Sequence, residues 1–101
     1  MKSFAVILLA AAGVMAGPAQ ANADLAKSKN CMGCHAVDKR LVGPAFRDIA
    51  TKYQGNKGAD AKLAASIAKG SSGSWGAIAM PANAVSEAEA QSLAKWVMSQ
   101  K

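Results

Sequence analysis

Cys31-Met32-Gly33-Cys34-His35 holds both cysteines and the only histidine of the chain in five consecutive positions. The spacing C-x-x-C-H reads as a c-type haem attachment site. Each thiol can add to one vinyl group, and two intervening residues put the thiols an i, i+3 step apart on one side of a helical turn. His35 follows at once, so attachment delivers its imidazole beneath the iron as an axial ligand. Three other uses of such a cluster compete. A disulfide is open to an exported chain. A redox C-x-x-C sits on a βαβ scaffold, and no strand pattern is present. Structural zinc takes about four ligands, and Cys31, Cys34 and His35 supply three.

The chain opens with a leader. Lys2 precedes an almost wholly apolar run from Phe4 to Met15, broken by Gly17-Pro18. Ala19-Gln20-Ala21 then offers the small residues at alternate positions that signal peptidase requires, overlapped by Ala21-Asn22-Ala23. The apolar run is shorter than the roughly 20 residues that span a bilayer. No cysteine follows to accept a lipid, and no twin arginine precedes. Residues 1–21 are therefore expected to be a cleaved secretory signal, with an end at 23 as the alternative, and 22–101 the working domain. Export implies that the chain works outside the cytoplasm.

About 80 residues then remain, one small domain whose core is marginal without a staple or cofactor. A covalently held haem is expected to complete it. The mature part keeps 11 of the 12 Lys and Arg residues and all six acidic ones, a formal +5. That balance suits an acidic docking partner, or simple solubility equally well. Nucleic acid is excluded as a partner by the lack of a basic run and by export.

Four helices are predicted, with no strand pattern and no internal repeat: an all-α domain wrapped around one haem. Asp24 is expected to cap the first, through Leu25 to Lys29 and into the motif. Pro44 introduces the second, whose Phe46, Ile49, Ala50 and Tyr53 share one face. Asp60 is expected to cap the third, with Leu63, Ala64, Ile67 and Ala68 inward and Lys69-Gly70 as its stop. Residues 71–85 carry no period. Ser86 and Glu89 then form a capping box before Ala90, Leu93, Ala94 and Val97, with Trp96 and Met98 at the margins of that face.

With His35 below the iron, the metal takes a second donor or stays open, and no other histidine exists. Methionine supplies a soft thioether that raises the reduction potential. Met1 and Met15 leave with the signal, Met32 lies inside the attachment loop, and Met98 sits on a regular helix as core filling. Met80 lies in the irregular stretch, held extended by Pro81. Asn83 is placed to donate its amide to the sulfur or to neighbouring backbone.

Taken together, Cys31–His35, Val42-Gly43-Pro44-Ala45, Gly73-Ser74-Trp75-Gly76, Met80-Pro81, Asn83-Ala84-Val85-Ser86 and Leu93-Ala94-Lys95-Trp96-Val97 resemble a small bacterial class I c-type cytochrome of the c-551/c-552 type, the cytochrome c8 subgroup. The likeness covers essentially all of the mature chain. It implies a monomeric four-helix fold in which the first and last helices cross. It also implies axial ligation by His35 and Met80, and a one-electron carrier, not an enzyme, between respiratory complexes and a terminal reductase or oxidase. By the same resemblance the Pro44 carbonyl accepts the His35 ring N–H, Trp75 bonds a haem propionate, and Trp96 packs the core. An apolar patch of Val42, Pro44 and Ala45 with a basic rim is expected to meet redox proteins by transient docking, without membrane insertion. A peroxidase or gas binder needs an open sixth site and, for peroxide chemistry, a distal acid–base group. Arg40 and Arg47, by contrast, lie near the attachment motif. Two departures stand out: Ala82 where relatives commonly have a second proline, expected to loosen the ligand loop, and Ser66 where some carry a basic residue.

Overall fold

A computed structural model describes residues 18–101, with side chains described from 22 onward. Its helices are α1 (Pro18–Ser28), α2 (Phe46–Tyr53), α3 (Ala59–Lys69) and α4 (Glu87–Met98), with a 3-10 turn at Cys31–Gly33. No strand occurs among the described residues. Two isolated antiparallel bridges, His35 with Arg40 and Ser71 with Met80, are the only extended pairings there.

The first helix starts earlier than its expected cap. Asp24 lies inside α1, which begins at Pro18. The alanine-rich residues before Asp24 propagate a helix without help from a cap. The expected cleavage points therefore fall within α1, and the apolar run 4–15 lies outside the described residues. Nor does α1 continue into the motif. It ends at Ser28, and Asn30 takes a left-handed φ of 60° that redirects the chain into the 3-10 turn.

The third helix is also capped differently from expectation. Gly58, with φ 80°, precedes Ala59, so Asp60 sits in the first turn instead of at the cap. Its carboxylate still faces the positive end of the helix dipole. At α4 the reciprocal capping pair is complete: the Glu89 N–H donates to Ser86 Oγ at 3.1 Å, and the Ser86 N–H to Glu89 Oε1 at 2.9 Å.

Helix α4 packs against each of the other three. Its buried face is Ala90, Leu93, Ala94, Trp96 and Val97. Ala26 and Ala94 are both 0 % exposed, small enough to let α1 and α4 close on one another. Trp96 is more than marginal. It is buried, with its ring edge-on to Phe46 at 5.0 Å and 72°, which ties α4 to α2. Leu63, Ala64 and Ile67 bring α3 to the same core.

Candidate functional site

His35 is the one buried polar or charged side chain among the described residues. The tight turn before it, closed by Cys34 N–H and His35 N–H on Cys31 O, turns the ring inward. Nδ1 lies 2.7 Å from Pro44 O. A carbonyl can only accept, so Nδ1 carries the proton and Nε2 keeps its lone pair for a metal. Phe46 stacks on the ring at 5.0 Å and 26°. Gly43 presses on it from another side, with its N–H bonded to Cys34 O at 2.7 Å. The imidazole is thus fixed in tautomer and in orientation.

Both thiols are free; Cys31 is half-buried and Cys34 exposed. Burial is the main cause that pushes the Cys31 thiol above its ordinary range, against a backbone hydrogen bond that lowers it and with the neighbouring Cys34 raising it further.

These residues open onto a cavity with about 1230 Å³ of atom-free space, partly open to solvent. Cys31, Cys34, His35, Pro44, Trp75, Met80 and Asn83, the seven residues singled out from the sequence, all line it. Its floor is the core itself: Phe46, Leu63, Ile67, Leu93, Trp96 and Val97. Among the described residues no three His, Cys, Asp or Glu side chains are grouped to hold a bare metal ion. A largely apolar cavity with one imidazole nitrogen, one thioether and two thiols on its walls fits a metal carried inside an apolar macrocycle.

Met80 is half-buried on the loop between α3 and α4 and pairs with Ser71 through its backbone. Asn83 turns its amide to backbone: Nδ2 donates to Ile67 O at 3.0 Å and to Pro81 O at 3.4 Å. Trp75 is held by residues well before it in the chain. Lys52 Nζ stands 4.4 Å over its ring and donates to Ser74 O at 2.9 Å, and Arg40 donates to Trp75 O at 3.3 Å.

The contacts of Gly43, Lys52 and Gly70 at this site escaped the sequence reading, because no local pattern reports what will fold against them. The apolar patch is also differently composed. Pro44 and Ala45 are buried, since they seat His35 and start α2; the large apolar residues exposed among the described residues are Leu41, Val42 and Ile78. Val42 and Ile78 stand at the cavity wall.

The model of the Cytochrome c family matches residues 19–101. The chain therefore belongs to the cytochrome c family. It is 50% identical over 104 residues to cytochrome c-551 of Pseudomonas aeruginosa, covering 100% of both. It is 52% identical over 93 residues to cytochrome c-552 of Nitrosomonas europaea, covering 91% of this chain and 90% of the relative. The structure of wild-type Nitrosomonas europaea cytochrome c552 superposes with a TM-score of 0.76 at 51% identity, over 78% of this chain and 99% of the other. The fold is the class I cytochrome c fold, haem c bound covalently through a Cys-x-x-Cys pair is its cofactor, and the chain is a small haem electron carrier.

Proposed function

We propose that the protein is a periplasmic one-electron carrier, exported by a leader that is removed after Ala21 or Ala23. As a monomer it would shuttle electrons between respiratory complexes and a terminal reductase or oxidase. The observation that carries this reading is the convergence of Cys31, Cys34, His35 and Met80 on one apolar cavity, with the His35 tautomer already set by Pro44.

When bound, haem c supplies the couple between ferrous and ferric iron. Cys31 and Cys34 are the residues to hold it covalently. His35 would offer Nε2 to the iron, and its hydrogen bond to Pro44 keeps the ring oriented. Met80 would offer its neutral sulfur to the same iron, a donor that favours the reduced state. Two donors from the chain would leave no place at the iron for a small substrate, which is why we read a carrier and not an enzyme. Trp75 is the residue to meet a propionate, and Asn83 steadies the Met80 segment through Ile67 O. The apolar walls exclude water, and donors held on a packed scaffold keep the rearrangement between the two charge states small.

Contact with partners is assigned to Leu41, Val42 and Ile78, 44%, 49% and 66% exposed. Exposed Lys39 and Arg40 adjoin Leu41 and Val42 in the chain. A small apolar patch with a charged rim suits weak, short-lived association. No helix among the described residues is long and apolar enough to cross a membrane.

Met80→Ala in the purified red protein tests the reading. It should abolish the weak near-infrared band of the oxidised form, admit carbon monoxide to the reduced form and lower the potential. An unchanged band and potential would remove Met80 from the site.

A further inference from the structure

The end of α3 meets the Met80 segment at more points than helix termination requires. Gly70 closes α3 with φ 82° and ψ 171°, a region open essentially to glycine alone. Its N–H donates back to Ser66 O at 2.9 Å. Ser71 then exchanges two backbone hydrogen bonds with Met80, N–H to Met80 O at 3.0 Å and Met80 N–H to Ser71 O at 2.8 Å. Beyond Met80, Asn83 gives both its backbone N–H and its Nδ2 to Ile67 O, at 3.1 and 3.0 Å. Residues 80 and 83 are thereby pinned to one helix end.

Gly70 stands in the middle of that contact. A Cβ there would lie 2.6 Å from Met80 O, 3.0 Å from Ala82 N and 3.1 Å from Pro81 C. All three are backbone atoms, which cannot swing away as the end of a flexible side chain does. Positive φ alone does not create this contact: Gly55, at φ 74°, has nothing within 4 Å of the same added atom.

The geometry points to Gly70 as the positioning residue for Met80. Its missing Cβ is the space that lets the backbone of residues 80–82 lie against α3, and a side chain there forces that backbone away and withdraws the thioether from the cavity. The inference rests on Met80 as an axial donor, as proposed above. It moves control of the sulfur away from Pro81-Ala82 and onto α3, which is anchored in the core by Leu63, Ala64 and Ile67. Ala82, which leaves the loop one proline short, is flanked by two residues already tied down.

The test compares Gly70→Ala with Gly55→Ala in the full, haem-loaded protein. The readouts are the near-infrared band of the oxidised form and carbon monoxide uptake by the reduced form, with far-UV circular dichroism to check the fold. Gly55→Ala also puts a side chain at positive φ (74°) but meets nothing within 4 Å. Gly70→Ala should weaken the band and raise the carbon-monoxide-accessible population about tenfold or more, while Gly55→Ala matches wild type in both. A Gly70→Ala protein indistinguishable from wild type overturns the inference. Should Gly70→Ala fail to fold, Ser71→Pro decides, because it deletes the donor to Met80 O and adds nothing at 70. Faster uptake supports the clamp, and wild-type uptake overturns it. Met80→Ala separates the two levels. If that variant leaves uptake unchanged, the reading of Met80 fails; if it opens the site and Gly70→Ala does not, only the role of Gly70 fails.

Discussion

Gly43 lies so close against the imidazole of His35 that an added Cβ would fall 2.5 Å from Cε1 and 2.9 Å from Nδ1. The ring cannot easily yield, because Pro44 O holds Nδ1 on one side and Phe46 stacks on its face. Gly43 itself is held by its N–H bond to Cys34 O. Packing here is a constraint on the ligand as much as on the fold.

Gly43→Ala should therefore behave as an overpacking variant, at a cost of about 1–3 kcal/mol. In a domain of this size, each kcal/mol corresponds to about 4–8 °C in Tm. Thermal melts of the haem-loaded protein measure the loss, and paramagnetically shifted proton resonances report whether the ring has turned. Wild-type values in both would show that the backbone at 43 gives way instead.

Glu89 supplies a pH signature. The backbone hydrogen bond from Ser86 is the main cause that holds its carboxyl below the usual glutamate range; Lys29, whose Nζ stands 3.7 Å away, adds to it. A depressed folded-state value means the ionised form stabilises the fold. That contribution is present above the ordinary glutamate range and is lost as pH falls through the depressed value. Glu89→Gln keeps a capping acceptor and removes the charge. Denaturant midpoints of the two proteins should differ near neutrality and converge on acidification; a constant gap would assign the effect elsewhere.

The cavity walls are the hydrophobic core, since Phe46, Leu93, Trp96 and Val97 belong to both. A Cys31→Ala/Cys34→Ala chain should lose the cofactor and, with it, the cooperative melt. Weak near-UV dichroism and binding of an apolar dye are the expected signs of a molten state. Native helicity with a sharp transition would show that 80 residues suffice alone.

Docking carries a salt dependence. If the basic rim steers association, electron transfer with an acidic partner slows as ionic strength rises. Stopped-flow rates between low and physiological salt measure it, and rates that ignore salt would leave only the apolar patch.

The residues from 31 to 35 determined the cofactor without any tertiary help, because two thiols and an imidazole within five positions form one local unit. Helices α2 and α4 were equally plain, one from an apolar face at helical spacing and the other from a capping box that acts within a single turn. Where a helix starts was less legible. A helix already under way before Asp24 and a left-handed glycine at 58 displaced both aspartate caps that composition suggested. The direction of the Asn83 amide, the burial of Trp96 and the pressure of Gly43 on His35 and of Gly70 on Met80 were decided only by packing. Each depends on where a second segment lies in space, and short-range propensity carries no information about that.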